Sequence, residues 1–222
     1  MSAAAGAVEC PASKQRFTEQ MNAIIEVPGR AKRLRAATHE AHERLDHRIM
    51  AAAPFASRER YGMFLIVQHE FQVAVDPLYR AARLSDLIPD LATRRRLNLV
   101  RQDMVDLGRM PPPLKFDDDY PVDVPNALGW LYVAEGSNLG AAFLLKEAGR
   151  IGLSETFGAR HLAGALEGRG RHWRSFTDAL DAVELPEDKE QAVVEGAVEA
   201  FAHVRKLVET HMPTSTEVTR HA

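Results

Sequence analysis

Cysteine is almost absent from this 222-residue chain, and the single Cys10 has no disulfide partner and forms no Cys-x-x-Cys motif. A chain without disulfides fits a reducing compartment, so we expect the cytoplasm. Long apolar runs are missing as well. The stretch from Met63 to Val67 is far too short to cross a bilayer, and the N-terminus lacks the basic and apolar segments of a signal peptide. We therefore expect no membrane segment and no export signal.

Charge of one sign is not in excess either. The chain has 28 lysine and arginine residues against 31 aspartates and glutamates, a formal net charge of -3. This balance gives no general attraction to nucleic acid, so we expect no nucleic-acid partner. Two basic groups are interpreted as solvated faces, although a cluster of them could hold ligand carboxylates or an acidic electron carrier. Their members are Arg30, Lys32, Arg33 and Arg35 in the first group, and Arg169, Arg171 and Arg174 in the second.

Signals for β-structure are nearly absent. No alternating apolar and polar run is long enough for a strand, and no Asn-Gly or Asp-Gly pair marks a hairpin. No linker rich in Gly, Ser or Pro divides the chain, which is long enough for one buried core. The sequence therefore predicts an all-α, single-domain fold. It predicts a loosely ordered leader over residues 1–30, the folded domain over 31–212 and a polar C-terminal tail over 213–222.

Apolar residues recur every three or four positions along several segments, as amphipathic helices require. Proline and glycine mark helix ends: Pro54 ends the first helix, Gly108 ends the third, and Pro186 suits the first turn of the last. A proline-rich and aspartate-rich loop interrupts the pattern over 111–121. The predicted helices cover about 31–50, 57–79, 93–107, 126–148, 158–166, 172–182 and 186–211.

Several motifs of catalysis are missing. The chain has no G-x-x-x-x-G-K-[ST] loop, no H-E-x-x-H and no G-x-S-x-G, which argues against phosphate binding, zinc peptidase chemistry and serine hydrolysis. It also has no Glu-x-x-His pair, the pattern by which carboxylate-bridged di-iron bundles bind their metals. These classes of function are disfavoured.

One of the nine histidines stands out by its position on the first predicted helix. The apolar stripe of that helix consists of Leu34, Thr38, Leu45 and Ile49. At about 100° per residue, His42 lies about 50° from the centre of the stripe, whereas His39 and His47 lie farther round. An imidazole there can coordinate a metal through one nitrogen while an acceptor holds the other. The alternative is a hydrogen-bonded structural histidine, which is the more common role.

Three glycines form a stripe on the helix predicted over 126–148. Gly129, Gly136 and Gly140 lie within about 40° of one another at about 100° per residue, so they present a bare backbone face. Each costs about 1 kcal/mol of helix propensity relative to alanine. Either a second helix packs closely there or a flat ligand lies against it. Helix packing is slightly favoured by the residues alone.

The two patterns together resemble the heme oxygenase family. The segment from Leu34 to Asp46 resembles the proximal helix of that family, in which a threonine precedes the iron-ligating histidine by four residues. The segment from Leu128 to Phe143 resembles the distal helix, whose glycines let the backbone lie over the heme. Further segments, Pro54 to Arg58 and Phe157 to Leu162, are similar to the bacterial branch. The resemblance covers roughly residues 31–210.

The resemblance implies an activity, its cofactor and its partners. Heme (iron protoporphyrin IX) is both cofactor and substrate, and dioxygen with electrons from a ferredoxin or a flavin reductase converts it to biliverdin, carbon monoxide and ferrous iron. The implied architecture is a monomeric, multi-helical bundle with heme between the proximal helix and a kinked distal helix. The alternative is a non-catalytic protein that binds or transports heme on the same scaffold. A thiamine-degrading enzyme on a related fold needs a cysteine nucleophile, and Cys10 lies outside the predicted fold.

The resemblance also assigns the site residues. It makes His42 the iron ligand and gives Gly136, Ser137 and Gly140 the catalytic face of the distal helix. The remaining heme contacts that it implies are Arg35, Thr38, Phe143 and Arg174, together with Gly136 and Gly140. Arg35 and Arg174 are the expected anchors of the propionates.

This sequence departs from its animal relatives at the distal helix and at the C-terminus. Ser137 stands where those relatives have an aspartate, and Ala141 replaces the second glycine of a pair, so the distal water must be organised differently. The polar tail replaces a membrane anchor. Met50 and Asn138 stand where some bacterial relatives place lysines that rotate the heme, and we therefore expect cleavage at the α-meso carbon.

Overall fold

Seven α-helices form most of the part of the chain that the computed structural model describes, which is residues 28–114 and 121–213. They are α1 (Arg30–Ala51), α2 (Arg58–Arg80), α3 (Ala82–Ser85), α4 (Leu97–Asp106), α5 (Val124–Gly149), α6 (Arg169–Ala182) and α7 (Glu187–His211). Two short 3-10 turns add Leu91–Arg94 and Arg160–Leu162. No β-strand occurs within these ranges, so the prediction of an all-α fold is confirmed. Cys10, residues 1–27 of the predicted leader and residues 214–222 of the tail lie outside the described residues.

Local sequence chemistry fixes several helix ends. The hydroxyl of Ser57 accepts a hydrogen bond from the backbone N–H of Arg60 at 3.2 Å, as an N-cap does. Pro125 occupies the first turn of α5, where its missing N–H leaves no intrahelical bond unmade. Gly108 follows α4 with a φ of 71°, the left-handed conformation that glycine adopts at little cost. These three boundaries agree with the sequence prediction to within two residues.

The helix predicted over 158–166 is wrong. Only the 3-10 turn Arg160–Leu162 forms there. Gly158 has a φ of 74°, and Gly168 has a φ of 91°, so left-handed residues flank this short stretch and end any helix that could start in it. The prediction over 93–107 also joined two elements, because the turn Leu91–Arg94 precedes α4 as a separate unit.

The core is built around α7. Helices α1, α2 and α5 all pack against it, and α5 forms its most extensive contact. The side chains that α7 buries recur at spacings of three or four residues: Val193, Ala197, Ala200, Val204 and Val208. Burial of one valine side chain stabilises a fold by about 1.5–3 kcal/mol. Because α1 and α5 both rest on α7, their relative position is set mainly through this shared support.

The contact between α5 and α7 is a close approach of two backbones. A Cβ added to Gly129 would lie 2.1 Å from the carbonyl oxygen of Val193, and a Cβ added to Gly196 would lie 2.1 Å from the carbonyl oxygen of Asn126. No side chain fits at either position without separation of the helices. Gly129 therefore serves helix packing, one of the two roles that its stripe predicted.

Arg30 is not part of a solvated face, and that interpretation is wrong for this residue. Its side chain is buried and donates a hydrogen bond to the carbonyl of Val183 at 2.8 Å and another to the carbonyl of Leu180. It also pairs with Glu190 at 2.5 Å, and Arg33 pairs with the same carboxylate at 2.7 Å. The first turn of α1 is thereby attached to the end of α6 and the start of α7.

No helix in the ranges 28–114 and 121–213 combines the length and the apolar character needed to span a bilayer.

Candidate functional site

His42 lies at the edge of the α1 stripe, with one side against the core and the other accessible. Its ring meets the ring of Phe201 on α7 in an edge-on arrangement, with 5.8 Å between centroids, and its side chain is 59% exposed. Its Nδ1 lies 3.4 Å from the carboxylate of Asp46, one turn further along α1. A carboxylate beside Nδ1 leaves Nε2 available to ligate a metal.

The glycine stripe divides into a packed part and an open part. Gly129 is covered by α7, as described above. A Cβ added to Gly136 would lie 3.5 Å from the ring of Trp173, which is ordinary contact, and a Cβ added to Gly140 would meet nothing within 4 Å. Helix packing therefore accounts for one end of the stripe, and the flat-ligand alternative stays a prediction at the other.

The open part of α5 exposes apolar side chains next to the bare backbone. Leu139 is 46% exposed and Phe143 is 54% exposed, although both are large hydrophobic residues. Exposed apolar groups beside a glycine backbone without cover fit a flat apolar ligand such as a porphyrin. The helix is continuous through Gly136 and Gly140, and the kink expected of it stays a prediction.

Ser137 and Asn138 make backbone contacts. The Ser137 hydroxyl donates a hydrogen bond to the carbonyl of Ala134 at 2.7 Å, the common arrangement of a serine within a helix. The carbonyl of Asn138 accepts a hydrogen bond from Arg169 at 2.7 Å, and the same guanidinium donates to the carbonyl of Leu162. The interpretation of Arg169 as part of a solvated face is therefore wrong.

The other expected heme contacts lie on α1 and α6. Thr38 is buried, and its hydroxyl donates to the carbonyl of Leu34 at 2.8 Å, so it offers its methyl group rather than a free proton. Arg35 is exposed on α1. Burial raises the pKa of the Tyr132 hydroxyl on α5, and the positive charge of Arg35 partly opposes that shift. Arg174 is exposed on α6.

A buried polar cluster lies directly before Gly136, and the sequence patterns did not indicate it. The carboxylate of Glu135, whose residue is 2% exposed, accepts a hydrogen bond from Tyr79 at 2.7 Å and pairs with Arg94 at 3.0 Å. His172 on α6 lies 3.5 Å from the same carboxylate through Nε2 and 2.7 Å from Glu167 through Nδ1. A glutamate among the apolar residues of α5 is the one signal that could have predicted this cluster.

The ionisation states in this cluster depend on one another. Burial opposes ionisation of Glu135, but hydrogen bonds from His172, Tyr79 and Arg94 outweigh it and hold the pKa of the carboxyl below its ordinary value. The hydrogen bond to Glu135 raises the pKa of His172, against its partial burial. When protonated, His172 donates from Nε2 to Glu135. When neutral with its proton on Nδ1, its Nε2 can instead accept from Arg94, which lies 3.1 Å away.

The cluster predicts a pH dependence of stability with a definite sign. His172 has a raised pKa, so its contribution is complete below its ordinary pKa of 6.5 and is lost as the pH rises through the raised value. Glu135 has a lowered pKa, so its contribution is complete above its ordinary pKa of 4.5 and is lost as the pH falls through the lowered value. We expect the urea midpoint of the native protein to exceed that of His172→Gln. This difference should be largest between pH 4.5 and pH 6.5 and smaller above pH 6.5. A difference between the two proteins that stays constant with pH would contradict the prediction.

A fully buried histidine, His161, lies in the 3-10 turn that packs against α5. The Nδ1 of His161 is 2.8 Å from the carboxylate of Asp103, and its Nε2 has no hydrogen-bond partner in the described part of the chain. Burial lowers the pKa of His161, against the attraction of Asp103. A neutral ring with its proton on Nδ1 leaves Nε2 as a buried acceptor, which fits a hydrogen bond with a water molecule.

An all-helical fold with an accessible imidazole on one helix and a bare backbone face on another fits a protein that binds a planar, iron-containing macrocycle. The family model described as heme oxygenase matches residues 29–210. The heme oxygenase PigA of Pseudomonas aeruginosa is 42% identical over 181 residues, which are 81% of this chain and 91% of PigA. The NO- and CO-bound heme oxygenase of Neisseria meningitidis matches the fold with a TM-score of 0.76 at 44% identity, over 84% of this chain and 94% of that one.

The chain belongs to the heme oxygenase family. It is an all-α oxidoreductase that binds heme and degrades it with dioxygen and electrons from a reductase. The resemblance drawn from the α1 and α5 motifs is confirmed by these matches.

Proposed function

We propose that His42 holds the heme iron through Nε2 and that the backbone from Gly136 to Gly140 covers the opposite face of the porphyrin. The observation that carries the proposal is the space beside Gly140, where even an added Cβ would meet nothing within 4 Å. The accessible imidazole and the exposed Leu139 and Phe143 support it, because they supply a ligand and apolar contact area for one planar molecule.

In this proposal the protein binds and orients while heme supplies the reactive electronics. Asp46, whose carboxylate lies 3.4 Å from Nδ1 of His42, would leave Nε2 to hold the iron. The bare α5 backbone would limit the room beside a bound porphyrin and so exclude bulk water from that side. Arg35 and Arg174 are proposed to anchor the propionates, and Thr38 to contact the ring through its methyl group. Ser137, whose proton is donated to a carbonyl, is left to accept a hydrogen bond from distal water.

The proposed products are biliverdin, carbon monoxide and ferrous iron, with cleavage at the α-meso carbon. Neither Met50 nor Asn138 provides the cation by which some bacterial relatives rotate the heme, which supports the α isomer. We further propose a monomer that acts in the cytoplasm and receives electrons from a ferredoxin or a flavin reductase. The single cysteine of the chain supports a reducing compartment.

Aerobic turnover of the purified heme complex tests the proposal. Ascorbate or a reductase is added, and the absorption spectrum and the extracted pigment are followed. We expect the Soret band to disappear and α-biliverdin to form. A protein that only carries heme would keep an intact porphyrin, and chromatographic identification of the β or δ isomer would contradict the proposed orientation.

A further inference from the structure

The buried carboxylate of Glu135 is costly unless several donors surround it, and three separate elements provide them. Tyr79 belongs to α2, Arg94 to the 3-10 turn Leu91–Arg94, and His172 to α6. An ion pair buried this deeply is weak support for stability in itself, since an apolar contact of the same size can stabilise as well. The ion pair instead fixes where Glu135 lies, because its carboxylate can bond to all of its partners in one place only.

Glu135 lies next to glycines that have no side chain to hold their own part of the helix in place. Gly136 follows Glu135 directly, and neither Gly136 nor Gly140 has a side chain to pack into the core. The Glu135 cluster holds the start of this segment from inside the fold. Arg169 holds its middle through the carbonyl of Asn138. The bare face of α5 is thus held in place by residues of other elements, through Glu135 and Arg169.

We propose that Glu135 is a positioning residue for heme cleavage, because its cluster fixes how closely the Gly136–Gly140 backbone covers the heme. The inference rests on the proposed function of that backbone. Glu135 does not touch the reacting atoms. It acts through the peptide that follows it, so its loss should change the mobility of the segment and the rate of cleavage without removing the iron ligand.

The decisive variant is Glu135→Gln in the full chain. Glutamine keeps the size of the side chain but removes its negative charge and one of its acceptor oxygens, so the ion pair with Arg94 is lost and at least one hydrogen bond must reverse its direction or break. Tyr79→Phe is the milder second variant, since it removes one donor and leaves the ion pair with Arg94. Glu190→Gln is the matched control: it makes the same chemical change at a carboxylate that also pairs with arginines, but at a half-buried position where α1 meets α7.

Hydrogen exchange of the protein without heme gives a readout that is independent of activity. We expect the amides of residues 136–142 to exchange about tenfold faster in Glu135→Gln, because the loss of a charged hydrogen bond increases local opening. Tyr79→Phe should show a smaller increase in the same segment. In Glu190→Gln these amides should exchange as in the native protein.

The heme complexes give the second readout, with ferric heme, oxygen and ascorbate. We expect Glu135→Gln to bind heme with native affinity and the native iron-histidine spectrum, and to degrade it about tenfold or more slowly, since small misplacements of a covering group reduce rates strongly. Faster exchange spread equally over α1, α2 and α7, the same change in Glu190→Gln, or native rates in both glutamine and phenylalanine variants would overturn the inference. Failure of the native protein to form a bilin would instead overturn the proposed function. The two failures are distinguishable because hydrogen exchange is measured without heme and does not depend on turnover.

Discussion

Replacement of His42 by alanine is expected to remove the iron-histidine spectrum of the heme complex and to reduce heme degradation by at least about 100-fold. Loss of groups that merely orient a metal ligand already costs about 10–100-fold, and this change removes the ligand itself. The fold should tolerate the change within about 0.5 kcal/mol, because the side chain is 59% exposed and its main core contact is with Phe201. Absorption spectra, turnover and thermal unfolding measure the three effects.

His39 provides the matched control. It lies on the same helix, is 69% exposed, and pairs with Glu43 one turn later at 3.5 Å, much as His42 pairs with Asp46 at 3.4 Å. We expect His39→Ala to retain the native spectrum and turnover. Free imidazole should restore a nitrogen-ligated spectrum to His42→Ala, since the variant leaves space beside the iron. If His42→Ala keeps the native spectrum without imidazole, the ligand assignment is wrong.

The second large effect is expected from Gly129→Ala, with a decrease in stability of about 2 kcal/mol. The new methyl would lie 2.1 Å from a carbonyl oxygen and 2.5 Å from a backbone nitrogen of α7. Backbone atoms cannot turn aside as side chains do, so α5 and α7 must separate, and overpacking of this kind typically costs about 1–3 kcal/mol or more. The gain in helix propensity of about 1 kcal/mol offsets part of that cost. We expect the melting temperature to fall by about 4–8 °C.

Gly140→Ala makes the same change on the same helix, but we expect it to increase stability rather than decrease it. A methyl at Gly140 meets nothing within 4 Å, so the protein without heme should become more stable by up to about 1 kcal/mol. The heme complex should weaken, because the methyl projects from the face that the proposed function places against the porphyrin. Thermal unfolding and heme titration of both variants test this pair. Equal destabilisation by the two alanines would show that the stripe is packed along its whole length.

Helical periodicity was sufficient to find α1, α5 and α7 and to place His42 at the edge of the buried face of α1. Each of these inferences uses residues three or four positions apart, whose relative directions follow from the helix itself. It was insufficient for the turn Arg160–Leu162, because the apolar residues of that stretch mimic a helix while Gly158 and Gly168 adopt left-handed conformations. Whether a glycine adopts such a conformation is decided by its surroundings.

The charged residues show the same limit more clearly. Arg30 and Arg169 are in groups that look solvated in the sequence, yet each donates to backbone carbonyls of distant elements. The partners of Glu135 lie 41 residues away at Arg94 and 56 residues away at Tyr79. No spacing rule connects residues so far apart, since loop length leaves their separation in space undetermined.

By itself the sequence determined that this protein is helical, that one helix presents His42 and that another presents a bare glycine face, because helix geometry converts spacing into direction. Only the tertiary structure decided which glycines are covered: α7 lies against Gly129, while the space beside Gly140 stays open. The reason is that direction along one helix is a local property, whereas occupancy of the space beside it depends on where every other helix packs.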